Sequence, residues 1–301
     1  MKIHTLDLEF QGVSRAVAAY LIIAPAGPVL VETGPASTLP TLLDRLRDLG
    51  LQPPDIGHIL LTHIHLDHAG AAGWWTRQGA RIHVHPRGAR HLIDPARLLG
   101  SAERIYGDRM ESLWGTTEPA LPEQVTTVED EEVVEVGGLR FQALETPGHA
   151  RHHHTYRLGD LAFTGDVAGL RLPGSNLIAL PAPPPEFDLE AWLESISRLE
   201  RLPLSAIFPT HVGRQEGLPQ HWAGLRELLQ QSTRFVRQRM EAGMERDDLV
   251  EEYRHWNGQR ALQAGLKPEI IHQYSIANPL DMSVDGIMRY WRKRLLDQVQ
   301  R

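Results

Sequence analysis

Apolar and polar residues alternate through residues 3–10, and apolar residues dominate 17–23 and 28–32. All three runs are rich in β-branched types and bounded by Gly and Pro, which predicts three strands. Leu39, Leu42, Leu43 and Leu46 then recur at helical spacing, so residues 37–49 read as a helix with Ser37 as its N-cap and Gly50 where it stops. A short apolar run at 58–62 predicts a buried strand that delivers the chain into His63. Residues 69–78 follow as a helix and 81–85 as a strand, with two helices in 86–99 and 102–114.

A second strand-rich stretch covers 125–128, 132–136, 139–145, 153–158 and 161–164, followed by a helix at 189–202 and a strand at 206–209. Between them, residues 168–187 carry Pro173, Pro181, Pro183, Pro184 and Pro185, a long loop of the kind that is often functional. From about His221 the pattern is helical only, with stripes through Leu225, Leu228, Leu229, Phe235, Val236 and Met240 and through Val284, Ile287, Met288, Trp291 and Leu295. The division this implies is a strand–helix domain at 1–215 and a helical extension at 216–301. The extension is expected to cover one edge of that domain as a lid, to form a homodimer contact, or both.

Composition narrows the function. There are no cysteines, which excludes thiol catalysis, cysteine metal ligands and disulfides together. A net charge of −7 argues against a nucleic-acid binder. The first ten residues lack the basic end and apolar core of an export signal, and no apolar run is long enough to span a bilayer. The expectation is a cytoplasmic protein acting on a small molecule, without a membrane partner.

The chemistry concentrates in His63-Ile-His65-Leu-Asp67-His68. Imidazoles two residues apart in an extended turn point the same way, and Asp67 and His68 add two more donors beside them. Such a window arises by chance on the order of 0.002 times in a chain with this histidine content. Three further residues sit where loops leave strands: His149, Asp166 and His211. Alone, each is an ordinary structural residue. Together they complete seven ligands, the number two ions need when one carboxylate bridges them. Imidazole and carboxylate donors suit zinc, iron or manganese.

These motifs, in this order over residues 1–213, make the chain similar to the metallo-β-lactamase-fold hydrolases, and to their glyoxalase II and lactonase branch in particular. The resemblance implies a four-layer αββα sandwich of the α/β (α+β) class with a C-terminal helical extension. Carried over residue by residue, it implies that His63, His65 and His149 hold one divalent ion. Asp67, His68 and His211 hold the second, and Asp166 bridges the two. Zinc is the first expectation for both. Where the family commonly places aspartate in a V-D-T-G turn, this chain has Val31-Glu32-Thr33-Gly34. Glu32 is expected to support the ligands from behind, as is His153, four residues after His149. On a strand, His152 and His154 would face away from His153.

Two cations lower the pKa of water enough to provide hydroxide at neutral pH, and they polarise the scissile bond. Asp67 would orient that hydroxide and pass a proton to the leaving group. The reaction expected is hydrolysis of a carboxylic ester, lactone or thioester. The alternatives on this fold are a phosphodiesterase and a di-iron redox enzyme. Tyr106 and Arg171 are the candidate substrate contacts. Trp74, Trp75, Arg109 and Trp114 can line the same pocket or pack in the core.

Overall fold

The protein's structure is a computed structural model that describes residues 1–299, with side chains described as far as Leu296. Six strands form a first sheet in chain order: β1 Lys2–Asp7, β2 Ala18–Ile23, β3 Val29–Val31, β4 His58–Leu60, β5 Arg81–Val84 and β6 Val125–Thr127. β1 to β3 pair antiparallel, and β3 to β6 pair parallel. Parallel pairing needs crossovers, and helices are how this chain makes them. α1 (Leu39–Asp48) joins β3 to β4. α2 (Leu66–Ala69) and α3 (Ala72–Arg77) join β4 to β5. α4 (Pro86–Ile93), α5 (Ala96–Tyr106) and α6 (Met110–Trp114) join β5 to β6.

The second sheet runs β11-β10-β9-β8-β7, from β7 Val133–Val136, β8 Leu139–Glu145, β9 His154–Leu158, β10 Leu161–Gly165 and β11 Ala206–Pro209. β10 and β11 pair parallel across α7 (Leu189–Glu200), and the other pairs are antiparallel. Side-chain alternation then makes three apolar layers. Tyr20, Ile22, Val29 and Val31 of the first sheet meet Phe141, Tyr156, Phe163 and Phe208 of the second between the sheets. Leu21, Leu30, Ile59 and Ile82 point the other way, against Leu42, Leu46 and Trp75. Ala162 and Ile207 pack outward on Trp192, Ile196 and Leu199. The order helix, sheet, sheet, helix is the αββα sandwich the resemblance implied.

Among the described residues four helices follow: α8 Leu218–Glu241, α9 Arg246–Gln263, α10 Pro268–Ala277 and α11 Leu280–Val299. The stripes of α8, α9 and α11 share the third layer, where Leu225, Leu229, Val236, Leu249, Tyr253, Val284 and Ile287 cluster with Trp192 and Ile196, whereas Tyr274 and Ala277 of α10 join the cluster on the outer face of the first sheet. Among the described residues no helix is long and apolar enough to cross a membrane.

Three local expectations change. The two helices expected in 86–99 and 102–114 are three, α4, α5 and α6, with a 3-10 turn at Gly107–Arg109 between the last two. Ser37 does not cap α1: a 3-10 turn at Ala36–Thr38 precedes the helix, and the Ser37 hydroxyl donates to the Leu113 carbonyl at 2.6 Å. The helix expected at 69–78 begins earlier and is broken. The carbonyl of His68 accepts from Thr33 N (2.8 Å) and Gly34 N (3.1 Å), and Ala71 N donates to Gly34 O (3.1 Å). Long-range hydrogen bonds to the turn after β3 thus take backbone groups out of the helix ladder between α2 and α3. Asp67 and His68 therefore sit on a one-turn helix.

Candidate metal centre

The loop after β4, the turn after β8, the end of β10 and the end of β11 all open on one edge of the sandwich. His63, His65 and His149 bring three ring nitrogens together there: His63 Nε2 lies 3.0 Å from His65 Nδ1 and 3.2 Å from His149 Nε2, and His65 Nδ1 lies 2.9 Å from His149 Nε2. The outer hydrogen bonds fix the tautomers. His149 Nδ1 faces the Pro181 carbonyl at 2.7 Å, and a carbonyl only accepts, so the proton is on Nδ1 and Nε2 turns a bare lone pair inward. The Thr62 hydroxyl donates to Glu32 Oε1 at 2.5 Å and so accepts from His63 Nδ1–H at 3.1 Å, which leaves His63 Nε2 bare as well. Converging lone pairs at such distances repel unless a cation lies among them.

The neighbouring group is Asp67, His68, Asp166 and His211, whose donor atoms all lie within 4.8 Å of one another. His68 Nδ1 donates to Glu32 Oε1 (3.1 Å) and His211 Nδ1 to the Ala16 carbonyl (2.6 Å), turning both Nε2 atoms inward. Asp67 Oδ2 lies 3.4 Å from His68 Nε2 and 3.5 Å from His211 Nε2. Asp166 divides its carboxylate: Oδ1 faces His68 and His211 (3.3 and 3.5 Å), and Oδ2 faces His149 at 3.4 Å. Among the described residues, buried His68 Nε2 and Asp166 Oδ1 have no hydrogen-bond partner. Burial of such atoms is costly unless something else satisfies them.

The charges of the two groups differ in a way that suits metal ions. Burial and mutual repulsion hold His63, His65 and His149 below the ordinary imidazole value, with His65 at about 3, so these rings are neutral donors. In the second group burial opposes charge, yet the carboxylates of Asp67, Asp166 and Glu32 lift His68 well above that value. Asp67 and Asp166, against the cost of burial, are held low by His68 and His211. The pair of carboxylates holds a proton on His68 where a cation would satisfy them better. The donor set fits two ions.

Glu32 and His153 support the donors. Glu32 is fully buried and takes a left-handed backbone (φ 65°), a conformation non-glycine residues rarely adopt. Its carboxylate accepts from Thr62, Thr210 and His68, and through Thr62 it also sets His63. His153 faces Thr146 Oγ1 with Nδ1 (2.9 Å) and accepts the Asp166 N–H with Nε2 (3.2 Å). Gly165 lets that turn close: a Cβ there would lie 2.4 Å from Thr62 Oγ1 and 2.7 Å from His153 Nε2.

The sequence model of the metallo-beta-lactamase superfamily matches residues 13–211. The chain belongs to the metallo-β-lactamase superfamily. It is 28% identical over 200 residues to the metallo-beta-lactamase fold-containing protein ST1585 of Sulfurisphaera tokodaii, covering 64% of this chain and 72% of that one. It is also 28% identical over 236 residues to the lactamase-like protein adaB of Aspergillus niger, covering 77% of this chain and 58% of that protein. The solved metallo-beta-lactamase family protein TTHA1429 from Thermus thermophilus shares the fold at a TM-score of 0.72 and 21% identity, over 97% of this chain and 93% of that one. That likeness extends through the C-terminal helices. Membership of the superfamily makes the protein a metal-dependent hydrolase.

In this member of the superfamily the donors stand at the base of a cavity of about 550 Å³. Phe10, Leu66, Leu113 and Trp114 form apolar wall, residues 181–185, 276–279 and 281–283 another part, and Tyr106 and Arg109 line it from the segment around α5 and α6. Burial pushes the Tyr106 hydroxyl up, and Asp67 and Asp281 add to the shift. The expectation for Arg171 is overturned. Its guanidinium donates to Gln215 Oε1 (2.6 Å) and the Glu216 carbonyl (3.0 Å), and it lines a separate depression. Trp75 is fully buried and belongs to the core.

His152 also departs from expectation. Residues 151–152 form a turn before β9, so strand alternation does not apply, and its ring stacks 6.1 Å from that of His63. Its Nε2 lies 3.4 Å from Glu186. His154 and His85 group with Glu145, their donor atoms within 4.8 Å. His85 Nδ1 accepts from Arg87 N (3.0 Å), which puts the ring proton on Nε2, facing Glu145 at 2.9 Å. A hydrogen-bonded pair, not an open metal seat, results.

Proposed function

We propose that the protein hydrolyses a carboxylic ester, lactone or thioester at a two-metal site, with residues 1–215 as the catalytic unit and 216–301 as a roof that shapes the pocket. His63, His65 and His149 would hold one ion, Asp67, His68 and His211 the other, and Asp166 would join them. The observation that carries this reading is the Asp166 carboxylate, whose two oxygens face different donor groups. When bound, the ions supply Lewis acidity and a nucleophile at neutral pH. Zinc is the ion we expect, since nitrogen and carboxylate oxygen are among its ordinary partners, and iron or manganese would accept the same donors.

The rest falls to the chain. Asp67 reaches the cavity floor with a side chain about a fifth exposed, so it meets both donors and substrate. Its carboxylate orients the attacking water and carries a proton toward the leaving group. Tyr106 lines the same cavity, and its hydroxyl would donate to the carbonyl oxygen. The apolar walls exclude bulk water and hold an acyl chain.

The test is a panel of lactone, thioester and phosphodiester substrates run alongside metal analysis, with Asp67→Asn as the variant. Acyl substrates should be turned over with two ions per chain. The variant should keep its circular dichroism and lose about 10²-fold or more in kcat/KM. Preference for phosphodiesters, or a fully active variant, overturns the reading.

A further inference from the structure

The cavity's charge runs against that of the whole molecule. The chain carries 31 basic and 38 acidic residues. The cavity wall nevertheless presents Arg104, Arg109, Arg254 and Arg289, and outside the candidate donors, among the described residues, a single carboxylate, Asp281. Arg254 is spoken for by Glu251 at 2.6 Å. The other three come from α5, the turn after it and α11, and among the described residues none has an acidic partner. Arg104 donates to the Ser101 hydroxyl at 2.9 Å, and Arg289 makes a long contact of 3.4 Å with the Pro185 carbonyl. Three arginines, two from adjoining segments and one from α11, thus line one opening.

We infer that this wall is an oxyanion subsite, and that the substrate is an acyl compound with a carboxylate or phosphate group remote from the scissile bond. The inference rests on the acyl-hydrolase reading and names the class of substrate within it. The division of labour follows from the lining. Aspartates and histidines lie at the base, where the scissile carbonyl must go. Phe10, Leu66, Leu113 and Trp114 accept the apolar part. The arginines take the anionic end, for which planar guanidinium forks are suited. They are exposed, so each contact contributes only a few-fold, and the sum should be salt-sensitive.

The experiment uses the metal-loaded full chain and three hexanoyl thioesters, of 6-mercaptohexanol, 6-mercaptohexanoate and 6-mercaptohexyl phosphate. At low salt kcat/KM for the anionic pair should exceed that for the neutral compound by about tenfold, and the ratio should shrink at high salt. Arg109→Gln and Arg289→Gln should each lower the ratio several-fold, and a comparison of the two anions tells carboxylate from phosphate. A ratio near one, or a ratio that neither variant changes, overturns the inference. If none of the thioesters is hydrolysed, the acyl-hydrolase reading falls. Calorimetry with 1,6-hexanediol, 6-hydroxyhexanoate and 6-hydroxyhexyl phosphate then decides the subsite separately. Anion binding weakened by the variants supports it, whereas binding that is equal for all three, or indifferent to the variants, overturns it.

Discussion

Glu32 shows how much one side chain can organise. Its Oε1 gathers the hydroxyls of Thr62 and Thr210 and the His68 ring N–H, and its Oε2 accepts the Thr62 N–H, so it holds His68 directly and His63 by way of Thr62. Glutamine in its place offers one acceptor and turns an amide N–H toward groups that are themselves donors. Glu32→Gln should therefore weaken metal affinity by about 10- to 100-fold. Competition with a chelator measures this, and wild-type affinity in the variant would show that Glu32 does not set the ligands. Asp166 has a different signature, because its oxygens face both groups. Asp166→Ala should impair retention of both ions, read as metal per chain by elemental analysis. Loss of a single ion would contradict a bridging role.

At the scale of elements, the proline-rich loop connects the C-terminal helices to the centre. The Pro181 carbonyl accepts from His149, and its neighbours are tied to the helices. Ser283 and Asn278 donate to the Leu180 carbonyl at 2.7 and 3.2 Å, and Tyr274 donates to that of Leu177 at 2.6 Å. α11 approaches this loop so closely that a Cβ on Gly286 would lie 2.0 Å from the Ala182 carbonyl oxygen. Backbone, not a flexible side chain, would have to move. Gly286→Val should cost about 1–3 kcal/mol, lower Tm by several degrees and loosen metal retention through Pro181. An unchanged Tm would mean that α11 does not bear on the loop.

For the whole molecule, buried neutral histidines outside the centre tie stability to pH. Burial depresses His83 and His221 to about 4 and His154 to about 3. Above the unfolded value of about 6.5 both states are neutral, and these groups add no pH dependence. Below it the unfolded chain takes up protons that the folded chain refuses, so stability falls as pH drops from about 6.5 toward 4. Each group contributes on the order of 1–3 kcal/mol across that window. His221 donates to the Ala168 carbonyl at 2.8 Å, a bond glutamine can imitate without titrating. Urea unfolding of metal-saturated protein at pH 7.5 and 5 should show a smaller loss in His221→Gln than in wild type. Equal losses would remove His221 from the account.

What the sequence determined by itself was local or combinatorial. Period-two and period-3.6 patterns marked most strands and helices, because burial of one face imposes them whatever the neighbours are. The H-x-H-x-D-H window and three strand-end residues named the seven donors that the structure brings together, since metal chemistry restricts both residue type and spacing. Tertiary structure decided the rest. Hydrogen bonds from Thr33 and Gly34 broke the helix at His68. Gln215 and Glu216 drew Arg171 away from the cavity. A turn, not a strand, put His152 beside His63. The arginine-lined wall joins residues more than 180 positions apart, on helices whose own periodicity reports a buried face and not which cavity the other face meets. Periodicity records that a face is covered. Only the packed chain records by what.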